Sequence, residues 1–398
     1  MISRVSCGLM GLAALLIATG ADAAVHRVFP GDSIQAAIDR ASPGDTILVA
    51  PGIYQEDPDS LYGLRIATDN LRLIGQERPG QGEAGKVRLI AHGSQETGVY
   101  AAPPGCEYTQ RDDCGAQLEG FYIRGFSVEE FPVNGIQTRW VDGFEFVRNT
   151  SVNNLNNGIY PTLSANGLIR DNVSYGSLDT AMWVAASQNV RVIGNEMFDS
   201  VIGFEITVSD HVEVKQNEIH NNTVGIGLFH PNAAGNNPLP FMTNWVIEHN
   251  NVYNNNRPNN APPGSFQGLL PPGAGILILG VSGHVVAKNN VTGNDFVGIG
   301  VLDWCSAVAG TPRSCSPSTV FRGPPFANNN RITQNFVRNN GQNPQAGPLN
   351  FLAADMTYVD SIGSSGNCFE KNRSQSRGNN QFTFFSTDPS GQLPTDGC

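Results

Sequence analysis

An asparagine returns every 22 or 23 residues through the middle of the chain, and there a Gly-Ile-type segment follows each one seven or eight residues later. Between them lie short Val- and Ile-rich stretches that alternate with period two and end in tight polar turns. These observations predict an all-β fold. The predicted architecture is a single-stranded parallel β-helix of about ten turns with a short N-terminal capping helix, one coil per repeat.

The asparagine column opens with FVRNTSV (146–152), IRDNVSY (169–175), VIGNEMF (192–198) and VKQNEIH (214–220), which place Asn149, Asn172, Asn195 and Asn217 at intervals of 23, 23 and 22 residues. It resumes after longer insertions as IEHNNVY (247–253), AKNNVTG (287–293), ITQNFVR (332–338) and EKNRSQS (370–376). Coils stack at ~4.8 Å, so like residues lie above one another. A ladder of Asn side chains in left-handed turn positions is the reading that needs no chemistry. Asn149, Asn172 and Asn290 start N-x-S/T sequons. In a ladder they face neighbouring coils, so they are not read as glycosylation sites.

A stack of parallel strands has open ends that need covers. Residues 33–41 form a short amphipathic segment opened by Asp32 and Ser33, predicting the capping helix within an N-terminal cap at 30–56. Regular turns are expected over about 118–300. Turns with long insertions follow over 301–398, all within one domain, 24–398. The first 23 residues read as a signal peptide: Arg4, the apolar run 8–19, and the Ala21-Asp22-Ala23 cleavage signal. No stretch reaches the ~18 apolar residues of a membrane helix, so a secreted or periplasmic protein without membrane insertion is expected. Six cysteines then remain, and proximity pairs them as Cys106–Cys114, Cys305–Cys315 and Cys368–Cys398. Six cysteines allow 15 connectivities, so the pairing is a choice by proximity. No C-x2-C spacing accompanies them, and no metal site is expected.

The chain has 398 residues, 15% of them charged, and a net charge of −11. That balance excludes a basic nucleic-acid surface and electrostatic docking on anionic lipid. With 40% hydrophobic residues, the chain can bury a core.

The opening PGDSIQAAIDRASPGDTILVAPGIYQE (30–56) is similar to the start of many pectate-lyase-like right-handed β-helix proteins. The order NGIYPTLSANGLIRDN, GFEITVSDHVEV, NNTVGIGLF, NNNRPNNAPPGS and GAGILI resembles a family of exported bacterial parallel β-helix repeat proteins. That family has no established biochemical activity. The resemblance covers roughly 25–300 and implies a right-handed coil and export. Within the superfamily, mannuronan epimerases carry Asp-Pro-His-Asp, whereas this chain has only Ser209-Asp210-His211 and Phe229-His230-Pro231-Asn232. The Gly-His-Gly and paired aspartates of polygalacturonases, and the Asp-rich calcium site of pectate lyases, are missing.

In the Gly-Ile segments the third residue is expected inside: Ile136, Ile159, Met182, Phe204, Ile226, Ile276 and Ile299. The fourth and sixth then point outward. One outer face therefore carries Gln137, Arg139, Tyr160, Trp183, Glu205 and Phe229, with His230 and Asp303 at its rim. Insertions at 231–244, 254–273, 305–328 and 341–357 flank this face in the C-terminal half. Aromatic rings beside a carboxylate and an Arg suit a sugar. The strip is read as a glycan groove, and the competing reading is a face simply covered by the insertions.

The expected function is action on, or binding of, acidic polysaccharide, as a polysaccharide lyase or C5-epimerase. Both reactions need a neutraliser, a base and an acid. Arg139 is the candidate neutraliser, Glu205 or His230 the base and Tyr160 the acid. Trp183, Phe229, Gln137 and Asp303 are expected to bind substrate. No cofactor is required, although Ca2+ could bridge an acidic polymer to an acidic protein. A monomer is expected. A hydrolase pairing Glu205 with Asp303 is disfavoured, since about four turns separate them, roughly 19 Å. The alternatives are a non-catalytic glycan-binding or cell-envelope structural protein, and a periplasmic metal-site accessory protein.

Overall fold

The computed structural model describes residues 23–80, 82–107, 114–234, 242–345, 347–374 and 383–398. The expected signal peptide lies outside them except for Ala23. The described strands form three parallel sheets of 12, 10 and 11 strands, in which hydrogen-bonded neighbours come from successive coils. The first complete coil runs Thr46–Val49, Gly52–Tyr54 and Tyr62–Ile66, one strand in each sheet. The tenth runs Arg331–Thr333, Phe336–Arg338 and Ala354–Val359. No described helix is long and apolar enough to cross a membrane.

The coil interior is apolar because inward positions repeat. Ile136, Ile159, Met182, Phe204, Ile226, Ile276 and Ile299 are fully buried and stack in register, as the alternation requires. The N-terminal end is closed by the helix Ile34–Ile38, shorter than the 33–41 segment. Ser33 caps it by accepting from the Ala36 amide. Glu56 accepts from the Ser33 hydroxyl at 2.6 Å and the Ile34 amide at 2.7 Å, tying the cap to the first coil.

The asparagine column is a continuous ladder. The Oδ1 of Asn172 accepts from the Asn149 amide at 2.9 Å and from its Nδ2 at 3.1 Å, and the same Nδ2 donates to the Ile123 carbonyl. The pattern continues through Asn195, Asn217, Asn250, Asn289 and Asn335 to Asn372. One expectation is corrected here. The ladder Asn is not the left-handed residue; the residue before it is, with φ of 53° at Arg148, 58° at Asp171 and 57° at Gln216. The Asn stays in ordinary backbone geometry and satisfies the corner through its side chain. Asn290 is also not a ladder member; Asn289 is, and Asn290 bonds Asn251 on the outer surface.

All three cysteine pairs form as expected by proximity: Cys106–Cys114, Cys305–Cys315 and Cys368–Cys398. The last ties the chain end to the terminal coil.

Candidate functional site

The outward column of the third sheet has the expected register: Tyr100, Gln137 and Tyr160 in successive coils, then Trp183, Glu205, Gly227, Leu277 and Gly300. Its fate divides at Glu205. Beyond that coil the insertions close over the strip and build a second apolar core from Val201, Phe229, Phe266, Leu277, Leu279, Trp304 and their neighbours. The expected exposure of Phe229 is therefore corrected. Phe229 is completely buried and meets Phe266 edge to face. His230 is also sealed, stacked on Trp304, with Nε2 3.1 Å from the Gly323 carbonyl. Burial pushes its pKa down to about 4. Asp303 caps the helix Trp304–Ala307, accepting from the Ser306 amide and hydroxyl and from the Ser361 amide. Three strand spacings separate it from Glu205, about 14 Å rather than the four expected from sequence. Cover, not a groove, is what the insertions provide here: apolar side chains on both sides gain more by excluding water than by lining a wet cleft.

Before that coil the strip is also largely buried, except at Tyr160. Tyr160 is half-buried and stacks on Trp183 with ring centroids 4.6 Å apart. Trp183 keeps 8% of its surface, and its indole N–H donates to Thr207 at 3.0 Å. Gln137 is held by Asn134 and is buried. Arg139 lies over the Trp140 ring, close enough to the buried Tyr100 to act on its hydroxyl electrostatically. It stands three strands from Glu205, about 14 Å, so the expected neutraliser and base do not meet on one sugar.

What does meet Glu205 is Asp179, a residue that the sequence reading passed over. The Thr180 Oγ1 lies 3.0 Å from the Glu205 carboxyl and 3.1 Å from that of Asp179. The two carboxyl groups are thus no more than about 6 Å apart through this bridge. A hydroxyl has one proton to donate. It satisfies one carboxylate, and the other carboxyl must carry its own proton and donate to the Thr oxygen. The arrangement holds a shared proton by its geometry. Electrostatics agree: burial, reinforced by the Asp179 charge, raises the Glu205 pKa well above the ordinary carboxylate range. Burial likewise pushes Asp179 up to about 7, against hydrogen bonds from Thr180 and Gln267 that favour its charge. Glu205 is the sealed member, and Asp179 is the one that keeps part of its residue surface. Gln267 comes from the insertion at 254–273, so one wall of the pair is supplied by that insertion.

Among the described residues, the one group of three His, Cys, Asp or Glu side chains close enough to share a metal ion is Cys368, Glu370 and Cys398. Its two cysteines are joined to each other, so it offers no thiolates.

Residues 134–311 match the family model described as the right handed beta helix region. The chain is a right-handed parallel β-helix protein. No curated protein matches its sequence. Among solved structures, the DFA-IIIase of Arthrobacter chlorophenolicus in complex with DFA-III superposes on this β-helix with a TM-score of 0.56 at 12% identity, covering 94% of this chain and 86% of that one. The mannuronan C-5 epimerase A-module of Azotobacter vinelandii gives 0.46 at 12% identity, covering 85% and 90%. The Dettilon tailspike protein gives 0.47 at 14% identity, covering 92% and 60%. Identities this low speak to the fold of the β-helix alone.

Proposed function

We propose that this β-helix acts on a glycan, with Asp179 as the group that exchanges a proton with the substrate. The Asp179–Thr180–Glu205 chain is the observation that carries this reading. A carboxyl that titrates near neutrality, backed by a sealed neutral carboxyl, is suited to proton transfer at pH 7. Glu205 is sealed, so it acts on the proton affinity of Asp179 and does not itself reach the substrate. Trp183 and Tyr160 lie one and two coils before Glu205 and offer an aromatic edge to a sugar.

The lyase and epimerase forms of this reading require a cation beside the reacting carboxyl. Arg139 is three coils away, and the acidic pair repels a uronate. A neutral or sparsely charged glycan suits the site better. The test is a panel of neutral and acidic polysaccharides read for new reducing ends, for the ultraviolet absorbance of an unsaturated uronate, and for proton exchange at C5. New reducing ends that disappear in Asp179→Asn support the proposal. Turnover of polyuronates stimulated by Ca2+ would move the reading to acidic polymers bridged by that ion. The second reading is a non-catalytic glycan binder that uses the same aromatic pair. It predicts retention on a glycan column with no product, and no effect of Asp179→Asn on retention.

A further inference from the structure

The insertions that cover the C-terminal half of the strip do not fill it. Between them and the third sheet lies an inner cavity of about 70 Å³. Leu277 and Leu302 form its floor, Phe266 and Leu270 come from the insertion at 254–273, Val308 follows the helix Trp304–Ala307, and Leu352 comes from the last insertion. Protein interiors leave few voids larger than a water molecule, and here three separate insertions, one stapled by Cys305–Cys315, converge and leave one.

The chemistry of the walls narrows the occupant. The two polar side chains of the lining, Thr311 and Thr357, both give their hydroxyl protons to backbone carbonyls, of Val308 and Leu352, each at 2.7 Å. The other fourteen lining residues are apolar, so an apolar group gains most by entering. The cavity continues into an outer pocket of about 180 Å³, which shares Pro271, Phe296 and Leu349 with it and adds Gln345 and Asn350 at the rim. Gln345 and Asn350 are the two polar side chains of that outer pocket. Leu349 and Phe351 beside that mouth are exposed by 39% and 63%. The inner volume is well below the ~150 Å³ that takes benzene, so a thin chain fits where a ring does not. The inner space takes only a short run of methylenes, and a longer chain continues into the outer pocket.

We propose that this cavity binds an acyl chain, with its polar head at Gln345 and Asn350. The proposal is independent of any catalytic role of Asp179. Titration calorimetry of the intact protein with straight-chain alkanoates tests it. Affinity should rise roughly fourfold per methylene and level off once the chain runs past the apolar lining. Ala307→Phe, which grows a side chain into the cavity, and Leu349→Asp, at its exposed mouth, should each weaken octanoate binding at least tenfold while far-ultraviolet circular dichroism stays unchanged. Comparing octanoate with octyl glucoside distinguishes the source: tighter binding of the first points to free fatty acids, and of the second to chains carried on sugar. No binding of either ligand, or binding that ignores chain length and both substitutions, overturns the proposal.

Discussion

Thr180 has one proton and two carboxyl neighbours, and two predictions follow from that count. Asp179→Asn should reduce turnover on a proven substrate by about 10²–10⁴-fold and leave glycan retention intact; steady-state rates beside affinity chromatography check this. The second prediction concerns stability. Asp179 binds its proton more tightly in the folded state, with the pKa raised to about 7, than in the unfolded chain. The folded state therefore holds more protons between about pH 4 and pH 7, and stability must fall as pH rises through that window. The amide of Asp179→Asn does not titrate. The Tm of the variant relative to the native protein should climb from pH 4 to pH 7 and flatten above, and a pH-independent difference would contradict the shared-proton description. Asp179 was illegible in the sequence for a physical reason. It precedes its strand in a turn, where Asp is ordinary, and its partner lies 26 residues on rather than 22 or 23. Glu205 was legible because alternation placed it in a column, yet the same alternation gave no hint of its burial by another part of the chain.

The ladder sets the behaviour of the elements. Asn195 accepts from the Asn172 amide and Nδ2 while donating to the Ile169 carbonyl and to Asn217. Asn195→Ala should leave several buried groups unsatisfied at once, at about 1–3 kcal/mol each before relaxation. Loss of about 2–4 kcal/mol, read from urea unfolding, is the expected outcome. The substitution in Asn372, at the end of the ladder, should cost less. Identical side chains bonding identical side chains made the 22–23-residue period easy to read. A second stack stayed hidden: Tyr175, Phe198, His220 and Tyr253 lie ring on ring along the second sheet at 4.7, 5.3 and 5.0 Å. Aromatic stacking accepts different residues at each level, so it left no repeated letter to find. Its rings cover one another's faces, which makes it a stiffening rib rather than a sugar platform.

At the scale of the molecule the coil is quasi-one-dimensional, each turn touching its neighbours. Stability is then local, and the ends are where it is lowest. Opening the loop of 30 residues closed by Cys368–Cys398, through Cys398→Ser, should remove on the order of 3–4 kcal/mol from the C-terminal coil in the chain-entropy picture. Amide exchange should quicken around residues 354–374 while the coils around Asn172 and Asn195 stay protected; uniform loss of protection would contradict this local picture. The coil itself could be read from sequence because every turn repeats the same burial problem. The insertions could be located but not interpreted. They have no period, and whether they wall a groove or roof a core depends on contacts between segments far apart, such as Phe229 with Phe266 and His230 with Gly323.

The corner before the ladder has one more property. Arg148, Asp171, Gly194, Gln216, His249, Lys288, Gln334 and Lys371 share a left-handed backbone, and all are exposed. Seven of the eight are not glycine, although that conformation costs a non-glycine residue roughly 1 kcal/mol. The position is strict in shape and indifferent in chemistry. It amounts to a graduated rail along one edge, marked every ~4.8 Å, on which labels, charges or anchoring groups can be set at chosen distances without disturbing the core beneath.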